Sequence, residues 1–119
     1  MQDEGTLDIS RHEAGTVIAL VGEHDLATAP ALRVAVQEAL DTGHVVVDLD
    51  RASFLDSTVL GVIIGGRDRA QERERSFVVL LGPGADPPVR RLVELTGMTS
   101  LLPVVDEREV ALDPLRTPG

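Results

Sequence analysis

The sequence predicts an α/β domain, a mixed sheet of four to five strands with helices packed against it in the order β-β-α-β-α-β-α-β-α. Short Val-rich runs alternate with segments whose apolar residues recur every three and four positions, the patterns of strands and amphipathic helices. Val, Leu and Ile make up 36 of the 119 residues, too many for a disordered chain. A chain of this length supports one core, so a single domain is expected over residues 1–112, followed by a flexible C-terminal tail at 113–119.

Leu7 and Ile9 alternate with Asp8 and Ser10, Glu13-Ala14-Gly15 supplies a turn, and Val17 to Val21 is a second apolar run, which together read as a β-hairpin. From Ala29 to Asp41, Leu32, Ala35, Val36, Ala39 and Leu40 fall on one helical face, with Thr28 placed to cap the start, Pro30 in the first turn and Gly43 past the end. His44 to Leu49 carries β-branched residues on both faces, the pattern of a central strand covered on both sides. Asp50 to Asp56 reads as a loop. Ser57 opens a second helix with an apolar front, Val59 to Ile64, and a solvated rear of alternating charge, Arg67 to Arg75, so its start is the better buried end. Phe77 to Leu81 is a further strand, closed by the breakers of Gly82 to Pro88. A third helix runs from Val89 to Thr96 and stops at Gly97. Leu101 to Val105, interrupted by Pro103, reads as an edge strand, and Glu107 to Leu112 as a short last helix.

Composition removes several functional classes. The formal charge is −9 and no lysine occurs, so the chain is expected to bind neither nucleic acid directly nor a membrane surface. With no cysteine there is no disulfide framework, thiolate metal site or cysteine nucleophile. No apolar stretch approaches the roughly 20 residues that span a bilayer, and Met1-Gln-Asp-Glu-Gly-Thr6 lacks the basic start of a signal peptide, so a cytoplasmic protein is expected.

Topology indicates where chemistry can sit. Loops leaving the C-terminal ends of parallel strands gather on one side of a sheet. If the strands before Gly22-Glu-His-Asp25 and Asp50 to Ser57 are parallel neighbours, Asp25, Asp56 and Ser57 share one rim. By position alone Ser57 is a helix N-cap, its hydroxyl accepting a bond from a first-turn amide. The sharper reading is a phosphoacceptor: a phosphate would meet free amides and the positive end of the helix dipole, and would add roughly −1.5 to −2 charges beside Asp56 and Asp25.

Phe54-Leu-Asp-Ser-Thr-Val-Leu-Gly61 resembles the signature of the STAS-domain anti-anti-sigma factors, also called anti-sigma factor antagonists. Gly22-Glu-His-Asp25 resembles that family's Gly-x-x-Asp turn, Val45 to Leu49 its central strand, and Leu95-Thr-Gly-Met98 its late turn, so the similarity runs from about Leu7 to Leu112. The resemblance implies partner switching without catalysis or a cofactor of its own. Unphosphorylated protein would bind an anti-sigma factor serine kinase and release sigma. Phosphorylation of Ser57 from ATP would end that binding, and a metal-dependent serine phosphatase would reset it. It further implies that Asp56 positions the hydroxyl or the kinase's metal, that Asp25 lies on the docking surface, and that Thr58 shapes the helix start. Val59 stands where many members carry Gly, a departure that bears on kinase fit if its side chain faces the partner. Stress-response and sporulation switches are the settings the resemblance implies.

Other readings carry less. Ser57 lacks a Gly-x-Ser-x-Gly setting and the three histidines are scattered, against a serine hydrolase. Glu23, His24 and Asp25 hold ligand-type atoms, but consecutive side chains rarely converge on a metal, so a solvated turn is expected. Gly82-Pro-Gly84 lacks the Gly-Lys-Ser/Thr ending of a phosphate loop. Phe54 and Phe77 are too few aromatics for a stacking pocket at the rim. The main alternative keeps the fold and drops the switch: a STAS scaffold or subunit of a sensory or lipid-transport complex. An exposed edge strand is compatible with a monomer or a weak dimer.

Overall fold

A computed structural model describes residues 5–116. Strands β1 (Thr6–His12) and β2 (Gly15–His24) form the expected hairpin, in antiparallel register from Thr6 opposite Val21 to His12 opposite Gly15. Helix α1 (Ala29–Thr42), strand β3 (His44–Asp48), strand β4 (Ala52–Leu55) and helix α2 (Ser57–Glu72) follow. Then come β5 (Phe77–Leu80), α3 (Pro87–Leu95), α4 (Met98–Leu101), β6 (Val104–Val105) and α5 (Arg108–Arg116). The sheet order is β1-β2-β3-β5-β6, with β4 paired to β2; every pairing except β1 with β2 is parallel.

The period of two along the central strands divides the interior. In β3, Val45 and Val47 enter the larger core with Ile18 and Leu20 of β2, Leu32, Val36 and Leu40 of α1, Val59 and Ile63 of α2, and Val89 and Val93 of α3. Val46 enters a smaller cluster on the opposite face with Val17, Leu80, Ala111 and Leu115. The β-branched run of β3 is therefore buried on both sides, as its composition predicted.

Four elements differ from the sequence reading. The sheet has six strands, one more than the upper expectation, because Ala52–Leu55 pairs with the end of β2 instead of forming a loop. Within that pairing the register shifts between Gly22, opposite Ala52, and Glu23, opposite Phe54, so Ser53 is an extra residue on β4. A one-turn helix, Met98–Leu101, stands where the last strand was expected to begin, leaving β6 as two residues. It follows Gly97, whose φ of 74° ends α3 in the left-handed region that glycine tolerates. Finally, α5 continues four residues past Leu112 to Arg116, through the stretch expected to be loose. Leu115 is fully buried there and its carbonyl accepts the Ala14 amide at 2.9 Å. The remaining tail, 117–119, lies outside the described residues.

The start of α5 is tied to the sheet by charge. Asp48, buried at the end of β3, receives 2.7 Å from the Arg108 guanidinium and 2.9 Å from the Asp50 amide. Asp50 in turn accepts the Gly82 amide at 2.6 Å, and its other oxygen lies 3.5 Å from Arg108. The Asp48 hydrogen bond, aided by both carboxylate charges and opposed by desolvation, raises the Arg108 pKa above its ordinary value.

Candidate functional site

β2 and β4 run parallel side by side, with His24 opposite Leu55, so the chain leaves both strands at one level. From β2 the backbone passes through the four residues Asp25–Thr28 into α1, and from β4 through Asp56 alone into α2. The condition set by the sequence is met: Asp25, Asp56 and Ser57 lie on one rim, at the positive ends of two helix dipoles.

Each acidic residue has a local structural task. The Asp25 carboxylate accepts the Ala27 amide at 2.9 Å, and its carbonyl accepts the amides of Thr28 at 3.1 Å and Ala29 at 3.0 Å. Asp56 is the N-cap of α2, with extended backbone and its Oδ1 accepting the Val59 amide at 3.0 Å. Ser57 is not the cap, as its position alone indicated, but the first helical residue. Its exposed side chain takes no part in the cap, and the amides of Ser57 and Thr58 lie in the first turn, where a helix offers no acceptor of its own. Thr28, expected to cap α1, occupies the N-cap position without a side-chain bond to the helix; its hydroxyl is engaged with His24 and Asp25 instead.

Thr58 is exposed beside Ser57. Val59 is a correction: grouped by its sequence position with the partner-contacting residues, it is fully buried in the larger core and presents no side chain to a partner. Its β-branched bulk packs inward, one helical turn before Ile63. His24 is a second correction: the turn at Glu23-His24-Asp25 is not solvated throughout, because His24 is 1% exposed. The sequence reading also passed over Leu26, an apolar residue 70% exposed within the acidic turn. Phe54, named as one of two aromatics and as the first residue of the family-like signature, is 47% exposed on β4 just before the cap. An isolated Leu in a turn without helical spacing was the available signal for Leu26.

Among the described residues no group of three or more His, Cys, Asp or Glu side chains is arranged to hold a metal ion, and no helix is long and apolar enough to cross a membrane. A cleft of 460 Å³ lies between α3, α4 and α5, lined by Arg90, Glu94, Val104, Asp106, Glu107 and Val110 among others; it includes none of the rim residues.

A known family model, described as "Mlab, STAS domain", matches this chain over residues 7–103. The chain belongs to the STAS-domain family. Among its STAS relatives, an anti-sigma F factor antagonist of Paenibacillus polymyxa is 29% identical over 112 residues, which cover 92% of this chain and 93% of the relative. An anti-sigma-B factor antagonist of Staphylococcus aureus is 30% identical over 91 residues, covering 75% and 82%. The crystal structure of an anti-sigma factor antagonist from Mycobacterium paratuberculosis superposes with a TM-score of 0.81 at 28% identity, covering 96% of both chains. These STAS relatives are named for antagonising another protein, a binding role, rather than for a catalysed reaction.

Proposed function

We propose that this chain is an anti-sigma factor antagonist that works by partner switching, with Ser57 as the switch. One observation carries the reading: Ser57 is exposed and uncommitted at the start of α2, because Asp56 supplies the cap, and it stands on the same rim as Asp25. The unphosphorylated rim, with Asp25, Leu26, Asp56, Ser57 and Thr58, docks on an anti-sigma factor serine kinase and releases sigma. The kinase transfers the γ-phosphoryl of ATP to the Ser57 hydroxyl. The added phosphate finds first-turn amides on its own chain, so the fold tolerates it, while roughly two added negative charges beside two carboxylates repel the former partner. A serine phosphatase restores the hydroxyl. This cycle belongs in the cytoplasm, where sigma factors act.

Val59 supports the reading, because the β-branched side chain that set this sequence apart from many relatives is packed inside and leaves the docking face unobstructed. The test is incubation with ATP, magnesium and the cognate anti-sigma kinase, followed by intact-mass and peptide mass spectrometry. One phosphate on Ser57, absent from Ser57→Ala, is expected. No transfer to the wild-type chain by a kinase active on another antagonist would contradict the switch and favour a STAS scaffold.

A further inference from the structure

Among the described residues His24 is the one buried polar residue at the rim, and partner switching leaves it without a task. Its ring is enclosed beneath Gly5, where an added Cβ would come within 2.1 Å of the Glu23 carbonyl and 2.8 Å of the ring's Cε1 and Nε2, so glycine is required just before β1. Nε2 lies 3.1 Å from the Thr6 carbonyl and 3.2 Å from the Val21 carbonyl. Both oxygens can only accept, so the ring hydrogen resides on Nε2. In the neutral ring Nδ1 is then an acceptor, and it faces the Thr28 hydroxyl at 3.1 Å. The same Thr28 oxygen accepts the Asp25 amide at 3.0 Å, and its single hydrogen is shared between Nδ1 and the Asp25 carbonyl 3.2 Å away. One imidazole thus joins the start of β1, the end of β2 and both ends of the turn that carries Asp25 and Leu26.

We infer that His24 is a positioning residue for the docking turn: acting through the Thr28 hydroxyl, it holds Asp25 and Leu26 in the arrangement that the anti-sigma partner reads. This rests on the functional reading above. The physical reason is preorganisation. A four-residue turn on the surface has several accessible arrangements, and ordering it before encounter removes that entropic term from binding. Among the described residues the Asp25 carboxylate has only its bond to the Ala27 amide to fix it, so the backbone beneath it must be fixed from below.

The test uses Thr28→Val, which keeps the shape and removes the hydroxyl, Thr28→Ser, which restores it, and His24→Leu. In the free wild-type protein, nitrogen-15 NMR of the imidazole is expected to show the proton on Nε2. Thr28→Val is expected to speed hydrogen exchange of the Asp25 amide by about tenfold, with exchange of the Val46 and Val47 amides unchanged. In titrations against the purified anti-sigma kinase, Thr28→Val is expected to bind about tenfold more weakly, and Thr28→Ser within about twofold of wild type. His24→Leu combined with Thr28→Val should weaken binding no more than either change alone, since both break one brace. Wild-type affinity in Thr28→Val, or Asp25 exchange that does not change, would overturn the inference. If His24→Leu does not fold, the two Thr28 variants still decide it. Failure of the wild-type chain to bind any anti-sigma kinase defeats the functional reading and this docking role with it. The exchange arm separates that outcome from a missing brace.

Discussion

Two pairs of acidic residues end parallel strands of this sheet, and they are treated in opposite ways. Asp48, the last residue of β3, and Asp50 just after it are closed by Arg108 from α5 and by the Gly82 amide, and Asp48 is buried. Among the described residues the carboxylates of Asp25 and Asp56, after β2 and β4, bond only to amides of their own turns, and no salt bridge involves either. The same side chain at the end of a parallel strand becomes a clamp when a cation reaches it and remains a presented charge when none does. The contrast separates what holds this fold together from what is displayed to a partner.

The comparison is tested most severely at Asp48. Asp48→Ala removes the acceptor of both Arg108 and the Asp50 amide, and is expected to destabilise the protein by about 2–3 kcal/mol in urea unfolding, with partner affinity of the folded protein unchanged. An equal loss of affinity would show that the clamp and the rim are coupled. Because its pKa is raised, Arg108 contributes fully at every pH below the arginine range, and that contribution is lost only as pH rises through it. The stability difference between wild type and Arg108→Ala should therefore be the same at about pH 6 and about pH 9.

Asp56 stands between the two classes, since it is both a cap and a rim charge. Asp56→Ala is expected to cost about 1 kcal/mol of stability and also to slow phosphate transfer to Ser57, measured as kcat/KM of the kinase. A stability loss with unaltered transfer would reduce Asp56 to a cap. The smallest effect on the fold is expected for Asp25→Asn, which keeps the bond to the Ala27 amide and removes the charge: stability within about 0.5 kcal/mol of wild type. Partner association should be slower and less sensitive to salt in stopped-flow measurements. Association rates matching wild type at every ionic strength would remove Asp25 from the docking surface.

Much of this arrangement is legible in the sequence. The hairpin, α1, the doubly buried β3 and the shared rim of Asp25, Asp56 and Ser57 follow from periodicity and right-handed parallel connections. What escaped has physical causes. β4 is four residues long and pairs only with the end of β2, so no run of apolar alternation announces it. Asp56 and Ser57 are both good caps, and the choice falls to Asp56 because the helix phase that buries Val59, Val62, Ile63 and Gly66 places Ser57 inside the first turn. Pro114 reads as a helix breaker, yet in the last turn of α5 it is tolerated, and the i, i+4 pair Ala111 and Leu115 carries the helix onto the back of the sheet. His24 shows no periodic signal at all; its burial depends on Gly5, far away in sequence.

The most direct measurement is the affinity of one anti-sigma kinase for this chain before and after stoichiometric phosphorylation, by calorimetric titration of the same preparation. Binding by the unphosphorylated protein, at least about a hundredfold weaker once Ser57 carries phosphate and recovered after phosphatase treatment, is the expected result. Equal affinity of the two forms would contradict the switch.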